Sequence, residues 1–370
     1  MKSSKTFLYQ KVFADIKSKI ASGEYGAGHL LPSEREIGEL YQVDRTTVRK
    51  ALQLLCEEHL VTKLPGKGTC VSHAPSAPQI PQPQIHASSL PIKNIAFILP
   101  RTKDASDRIT FPTYAGLLFV AEKECSRNHF RLVYMTLDDE DSLEKYLASM
   151  EYAGIIFLSA VAEKHIEKAR QLHIPSVLLN NCSELITSIM PDNFNGGYQA
   201  AKYLLDMGHR NLLLLSGNRT STNCRERIKG FTYACFEYGV PFDQTHILGG
   251  DQWSFDYGYQ EIITNYPSFR QRPTAIFACG DRLALGASKA LKELGLNIPE
   301  DVSVIGYDNS EQAQYATPKL TSVDTNLKAL GTTAVYALMD HIRHPALQDT
   351  PLKIIVPAVL SKQESVGAAK

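Results

Sequence analysis

Arg45-Thr46-Thr47-Val48-Arg49 gathers two guanidinium groups and two hydroxyls within five residues. At the N-terminal turn of a helix, an arginine can form a bidentate pair with guanine in a major groove, and a threonine can meet a thymine methyl or a phosphate. The helix terminus itself favours a phosphate. Further on, Gly66-Lys67-Gly68 offers a tip whose glycines permit close approach to a minor groove, with Lys67 supplying charge. A second group lies in the remainder of the chain, just after short apolar runs: Arg101, Asn180, Asp281 and Asp308. The Asp281 carboxylate can accept two hydroxyl hydrogen bonds. Arg227 can fork onto ligand oxygens, and the Trp253 indole can stack on a sugar ring or a base. Asp308 reads as a turn residue and His209 as structural.

These residues need elements to hold them. Leu8, Val12, Phe13, Ile16 and Ile20 follow helical spacing up to Gly23. Ser33-Glu34-Arg35-Glu36 is a capping box that opens a second helix, expected to bury Ile37, Leu40 and Tyr41. Asp44 caps a third, with Val48, Ala51, Leu52 and Leu55 facing inward. Two short strands, 61–64 and 69–71, flank residues 65–68 as a hairpin. Helix, tight turn, helix and hairpin together make a winged helix-turn-helix.

From Gly68 to Ile92 there is no Asp, Glu, Lys or Arg, and residues 74–91 carry five prolines. That segment cannot bury a core and reads as an extended linker. The chain is therefore expected to comprise a head (1–74), a linker (75–91) and a body (92–370). In the body, apolar runs at 94–100, 154–158, 176–179, 211–216, 275–278 and 302–306 alternate with amphipathic stretches such as 196–207, 225–238 and 281–294. Such alternation implies parallel sheets with helices on both faces. A two-lobed α/β body of this kind takes small ligands at the C-terminal ends of its strands.

Composition narrows the class. The 370 residues hold 39 Lys+Arg against 39 Asp+Glu and are 44% hydrophobic, as in a globular protein of two or three compact units. The neutral total divides unevenly: 1–74 hold 11 basic and 8 acidic residues, a sign pattern suited to a nucleic-acid-facing head. No apolar stretch approaches the ~20 residues of a bilayer span. The absence of an apolar leader at the start argues against secretion. Seven scattered cysteines without a CxxC argue against a zinc site and a disulfide framework, and fit a reducing cytoplasm. No metal or cofactor is expected.

The motifs also carry two resemblances. Residues 28–37, 44–51 and 66–71 resemble the winged-helix head of the GntR family of bacterial regulators. This implies DNA contacts at Arg35, Arg45, Thr46, Thr47, Arg49 and Gly66. Residues 192–197, 205–210, 226–231, 280–286, 295–308 and 317–323 resemble the periplasmic-binding-protein-like effector domain of the LacI/GalR family. Over about 92–365, that resemblance places Asn180, Arg227, Trp253 and Asp281 in a ligand cleft, with Phe111 and Tyr114 nearby. Asn180 stands where that family usually has Asp, and a proline-rich linker replaces its hinge helix. The fusion is similar to the arabinose-repressor type of regulator. It implies a homodimeric repressor of a sugar-utilisation operon, bound to double-stranded operator DNA and released by a monosaccharide such as arabinose, fucose or a related aldose. Two alternatives stand beside this: a pyridoxal-phosphate-dependent GntR-type fusion, and a sensor of a purine or phosphorylated sugar.

Overall fold

The computed structural model describes residues 8–58, 60–64, 68–72, 93–101, 109 and 111–370. The chain forms two compact units, Met1–Leu90 and Pro91–Lys370. The proposed linker and the Gly66 and Lys67 tip lie outside the described residues.

In the first unit, helices α1 (Leu8–Ala21), α2 (Glu34–Tyr41) and α3 (Arg45–Glu57) precede a hairpin of β1 (Val61–Leu64) and β2 (Gly68–Val71). The capping box is complete: Ser33 Oγ accepts from the Glu36 N–H, and the Glu36 carboxylate accepts from the Ser33 N–H. Helix α2 stops where Gln42 turns left-handed (φ 50°), and Asp44 then caps α3 through the Thr47 N–H at 2.8 Å. Val12, Ile16, Ile37, Val48, Leu52 and Leu55 form one core, each contributing about 1.5–3 kcal/mol by burial. Leu40 departs from expectation. Ile37 and Tyr41 face the core, but Leu40 is left exposed on the short α2, with no element among the described residues covering its ridge.

The second unit holds two six-stranded sheets. Strands β3 (Lys93–Pro100), β4 (Phe130–Leu137), β5 (Tyr152–Leu158), β6 (Ser176–Leu179), β7 (Thr187–Pro191) and β13 (Lys353–Val356) pair in the order β13-β7-β6-β5-β3-β4, all parallel. Helices α4 (Pro112–Arg127) and α12 (Leu327–Arg343) cover one face; α5 (Leu143–Leu147) and α6 (Glu163–Gln171) cover the other. The second sheet has β8 (Leu212–Ser216), β9 (Ile247–Gly249), β10 (Ala275–Ala278), β11 (Ser303–Tyr307), β12 (Thr321–Asp324) and β14 (Val359–Ser361), in the order β14-β12-β11-β10-β8-β9. Here α7 (Asn193–Asp206) and α8 (Thr222–Glu237) lie on one face, and α9 (Phe255–Asn265) and α10 (Asp281–Glu293) on the other. The short α11 (Glu311–Tyr315) follows β11.

All six expected apolar runs lie in strands. Their Leu, Ile, Val and Phe side chains are almost wholly buried because both faces are covered. The chain crosses between the lobes three times, after β7, after β12 and after β13, so each lobe is assembled from separated segments. Helices α7 and α8 pack backbone to backbone. A Cβ on Gly197 would stand 2.1 Å from the Arg227 carbonyl oxygen, and one on Gly230 would stand 1.8 Å from that of Phe194. No helix among the described residues is long and apolar enough to cross a membrane.

Candidate nucleic-acid interface and ligand cleft

Helix α3 presents Arg45, Thr46, Thr47 and Arg49 on or beside its first turn, opposite the buried Val48–Leu52–Leu55 stripe. The Arg45 and Arg49 side chains are largely exposed. One residue that sequence reasoning used only as part of the capping box organises both. A single Glu34 carboxylate oxygen accepts from Arg45 Nε at 3.1 Å and from Arg49 Nε at 2.9 Å. Burial alone would raise the Glu34 carboxyl, but the hydrogen bonds from Arg49 and Arg45 hold it below the usual value. Because Glu34 takes the Nε edge of each guanidinium, the terminal nitrogens have no hydrogen-bond partner among the described residues and can face base edges. Arg35 is held aside by Glu39 at 3.2 Å. Thr47 is oriented by Asp44, whose carboxyl is lowered to about 2, first by the Thr46 hydroxyl and then by the Thr47 N–H and hydroxyl. Replacing Arg45 or Arg49 by alanine is expected to cost about 1–3 kcal/mol of sequence-specific DNA binding. Fluorescence anisotropy on operator and scrambled duplexes checks this, and equal losses on both would remove base reading from these residues.

In the body, a chain of polar groups spans the lobes at the C-terminal strand ends. Asn180 follows β6 in a left-handed conformation (φ 60°). Asn223 Nδ2 donates to both the Asn180 backbone oxygen and the Asn180 Oδ1 at 3.0 Å. Asn193 Nδ2 donates to Asn223 Oδ1 at 3.0 Å, and Arg227 Nε donates to Asn193 Oδ1 at 2.9 Å. Arg227 also donates to the Cys279 carbonyl at 2.6 Å and lies 3.9 Å from Asp308. Its guanidinium stacks 3.6 Å over the Tyr307 ring, with the Trp253 ring 5.8 Å away. This buried cation (5% exposed) is therefore held by one carboxylate, two carbonyl-type oxygens and two π-faces. Asn193 and Asn223 were not singled out from sequence. Their signal is position alone: Asn193 is the first residue of α7 and Asn223 the second of α8, and each helix follows a β-strand.

Asp281 is placed differently from expectation. Its carboxylate does accept two hydrogen bonds, but from this chain: the Ser322 hydroxyl and the Ser310 N–H, both at 2.6 Å. At 1% exposure it lies beneath the cleft floor. Asp308, read from sequence as a turn residue, is the carboxylate beside Arg227; its side chain is 25% exposed and its φ is 110°. A non-glycine residue held in that region is strained by about 1–3 kcal/mol, a condition found most often at functional sites. Burial raises both carboxyls above the ordinary range, and for Asp281 the Asp308 charge adds to it. Arg101 is turned to the Tyr146 hydroxyl and Asp141. Phe111 packs 6.0 Å from Tyr114, whose hydroxyl meets Ser159 Oγ at 3.0 Å.

The raised carboxyls imply a pH dependence. The folded state keeps a proton that the unfolded chain releases near pH 4, so stability falls as pH rises from there through the folded value, about 7 for Asp281. Asp281→Asn is expected to flatten the decline in melting temperature between about pH 5 and about pH 7.5, leaving the share owed to Asp308. A variant whose melting curve tracks the wild type across that range would show that Asp281 is ionised throughout.

An exposed arginine-bearing helix on one unit and a polar-lined, two-lobed cleft in the other define a one-component DNA-binding regulator. Residues 8–71 match the family described as "Bacterial regulatory proteins, gntR family", and 201–366 match the "Periplasmic binding protein-like domain". The HTH-type transcriptional regulator DegA of Bacillus subtilis is 32% identical over 260 residues, 67% of this chain and 75% of that one. The HTH-type transcriptional repressor PurR of Mannheimia succiniciproducens is 29% identical over 262 residues, 68% of this chain and 77% of its own. A LacI family transcriptional regulator from Enterococcus faecium, solved with bound ribose, superposes with a TM-score of 0.66 at 28% identity, covering 75% of this chain and all of that one. The chain belongs to the LacI family of transcriptional regulators through its body and carries a GntR-family head. It is a regulator and not an enzyme, which sets the pyridoxal-phosphate alternative aside.

Proposed function

We propose that the protein represses a sugar-utilisation operon: a homodimer grips operator DNA through Arg35, Arg45, Thr46, Thr47 and Arg49, and a monosaccharide in the cleft releases it. Residues 1–74, 75–91 and 92–370 serve as head, linker and sensor. The observation that carries this reading is the Asn180–Asn223–Asn193–Arg227–Asp308 chain, which joins both lobes beside Trp253. An alternating set of amide, guanidinium and carboxylate groups suits the donors and acceptors of a hydroxylated ring, and an indole suits its apolar face. Asp308 takes the ligand-facing role first assigned to Asp281, which instead braces the floor. Phe111 and Tyr114 close the opposite wall. The bound ribose of the Enterococcus faecium relative supports a sugar in this cleft. Dimerisation through α4 is supported by Phe119, which is 67% exposed on that helix.

A ligand at ~100 times its Kd adds about 2.7 kcal/mol to the folded state. A thermal-shift panel of monosaccharides and purines, followed by operator anisotropy with each hit, tests the reading. A sugar that stabilises the protein and weakens operator binding upholds it. A stabilising purine with silent sugars replaces the sugar assignment.

A further inference from the structure

The cleft has a second charged feature at its mouth. Arg282, the second residue of α10, lies against the N-terminus of α4 from the other lobe, its guanidinium 4.3 Å over the Phe111 ring. Phe111, Pro112, Phe255, Arg282 and Leu285 line a cavity of about 260 Å³ there. Among the described residues the Arg282 guanidinium makes no hydrogen bond and no ion pair; Asp256 acts on it only at longer range. Its contrast with Arg227 is plain, since that guanidinium has carbonyl, amide and carboxylate partners. Phe111 covers one face of the Arg282 fork, so the donor edge is what remains for a ligand. Helix α4 also begins here without a side-chain cap, which adds positive potential to the same cavity. The space exceeds several waters at about 30 Å³ each, enough for a carboxylate or phosphate.

We infer that Arg282 is an anion-reading subsite between the lobes, and that the effector is a sugar carrying a carboxylate or phosphate group. This inference rests on the sugar-sensing reading and sharpens its ligand class. The ring occupies the Arg227–Asp308–Trp253 floor, the anionic group reaches Arg282, and the same bond ties α10 to α4 across the mouth. Burial, which lowers the Arg282 guanidinium, makes an anionic partner worth more here than at an open surface.

Isothermal titration of the full chain with D-ribose, D-ribose 5-phosphate, D-glucose, D-glucose 6-phosphate, D-gluconate, L-arabinose and L-fucose tests this, using wild type, Arg282→Gln and Arg282→Lys. Wild type is expected to bind an anionic sugar about tenfold or more tighter than its neutral twin. Arg282→Gln loses that preference while keeping the neutral affinity, and Arg282→Lys restores part of it. Equal affinities for the twins in wild type, or a preference kept in Arg282→Gln, overturn the subsite and leave sugar sensing standing. Silence from every sugar, L-arabinose and L-fucose included, overturns both, and melting curves of the variants confirm that each is folded.

Discussion

Arg227→Ala is expected to abolish effector release and to destabilise the body by about 3–5 kcal/mol. The substitution leaves Asp308 without its cation, frees the Asn193 Oδ1 and Cys279 carbonyl acceptors, and opens a space against Tyr307 and Trp253. Breaking the pair from one side costs more than replacing both partners, because the three-quarters-buried Asp308 carboxyl keeps its desolvation and loses its cation. A double variant, Arg227→Met with Asp308→Asn, is therefore expected to regain much of the stability while remaining unresponsive. Urea unfolding followed by intrinsic fluorescence reads the stability, since Trp253, the single tryptophan, sits at the site. Equal stability of the single and double variants would show that the Arg227–Asp308 contact carries no net energy.

Gly230→Ala has a comparable expected effect for a different reason. The added methyl would meet the Phe194 carbonyl oxygen at 1.8 Å, and that oxygen belongs to helix backbone. Overpacking usually costs about 1–3 kcal/mol when side chains can yield. Here two helices must separate, so about 3 kcal/mol or more is expected. Helix α7 carries Asn193, and α8 carries Asn223 and Arg227. Their separation breaks the polar chain between the lobes as well as the packing. The measurement is again a urea transition, joined with titration of whichever sugar binds wild type. A variant of wild-type stability and response would mean that α7 and α8 adjust at little cost. The head should be unaffected, and operator binding without sugar is the control.

Local signals were most legible in the head, where they coincide with the tertiary arrangement. Ser33 and Glu36 close their box as spaced, Asp44 caps α3, and the glycine-flanked hairpin forms. In the body, strands covered on both faces announced themselves as unbroken apolar runs. Strand β4 did not, because it is an edge strand with Arg131 in it and mostly half-buried side chains. Strands β7 and β12 begin with buried Thr and Ser, and the Thr187, Thr321 and Ser322 hydroxyls find their partners only after folding. The cleft was legible in residue types and less so in roles. Asp281 and Asp308 both follow strands of one sheet. What separates them is Ser322, 41 residues from Asp281, whose hydroxyl claims one carboxylate and leaves the other for the cleft. Glu34 was hidden likewise: its bonds reach 11 and 15 residues along the chain.

The three crossings between the lobes also set an order in time. The head is made of contiguous residues and can fold once they have left the ribosome. The lobe built on β3–β7 must wait for α12 and β13, about 165 residues beyond Pro191. At about 5–20 residues per second, that is a delay of roughly ten seconds or more. Through that interval the nascent chain owns a finished reader of DNA and only half a sensor. Translation that stops there releases a fragment with a folded head and an incomplete cleft, deaf to any effector.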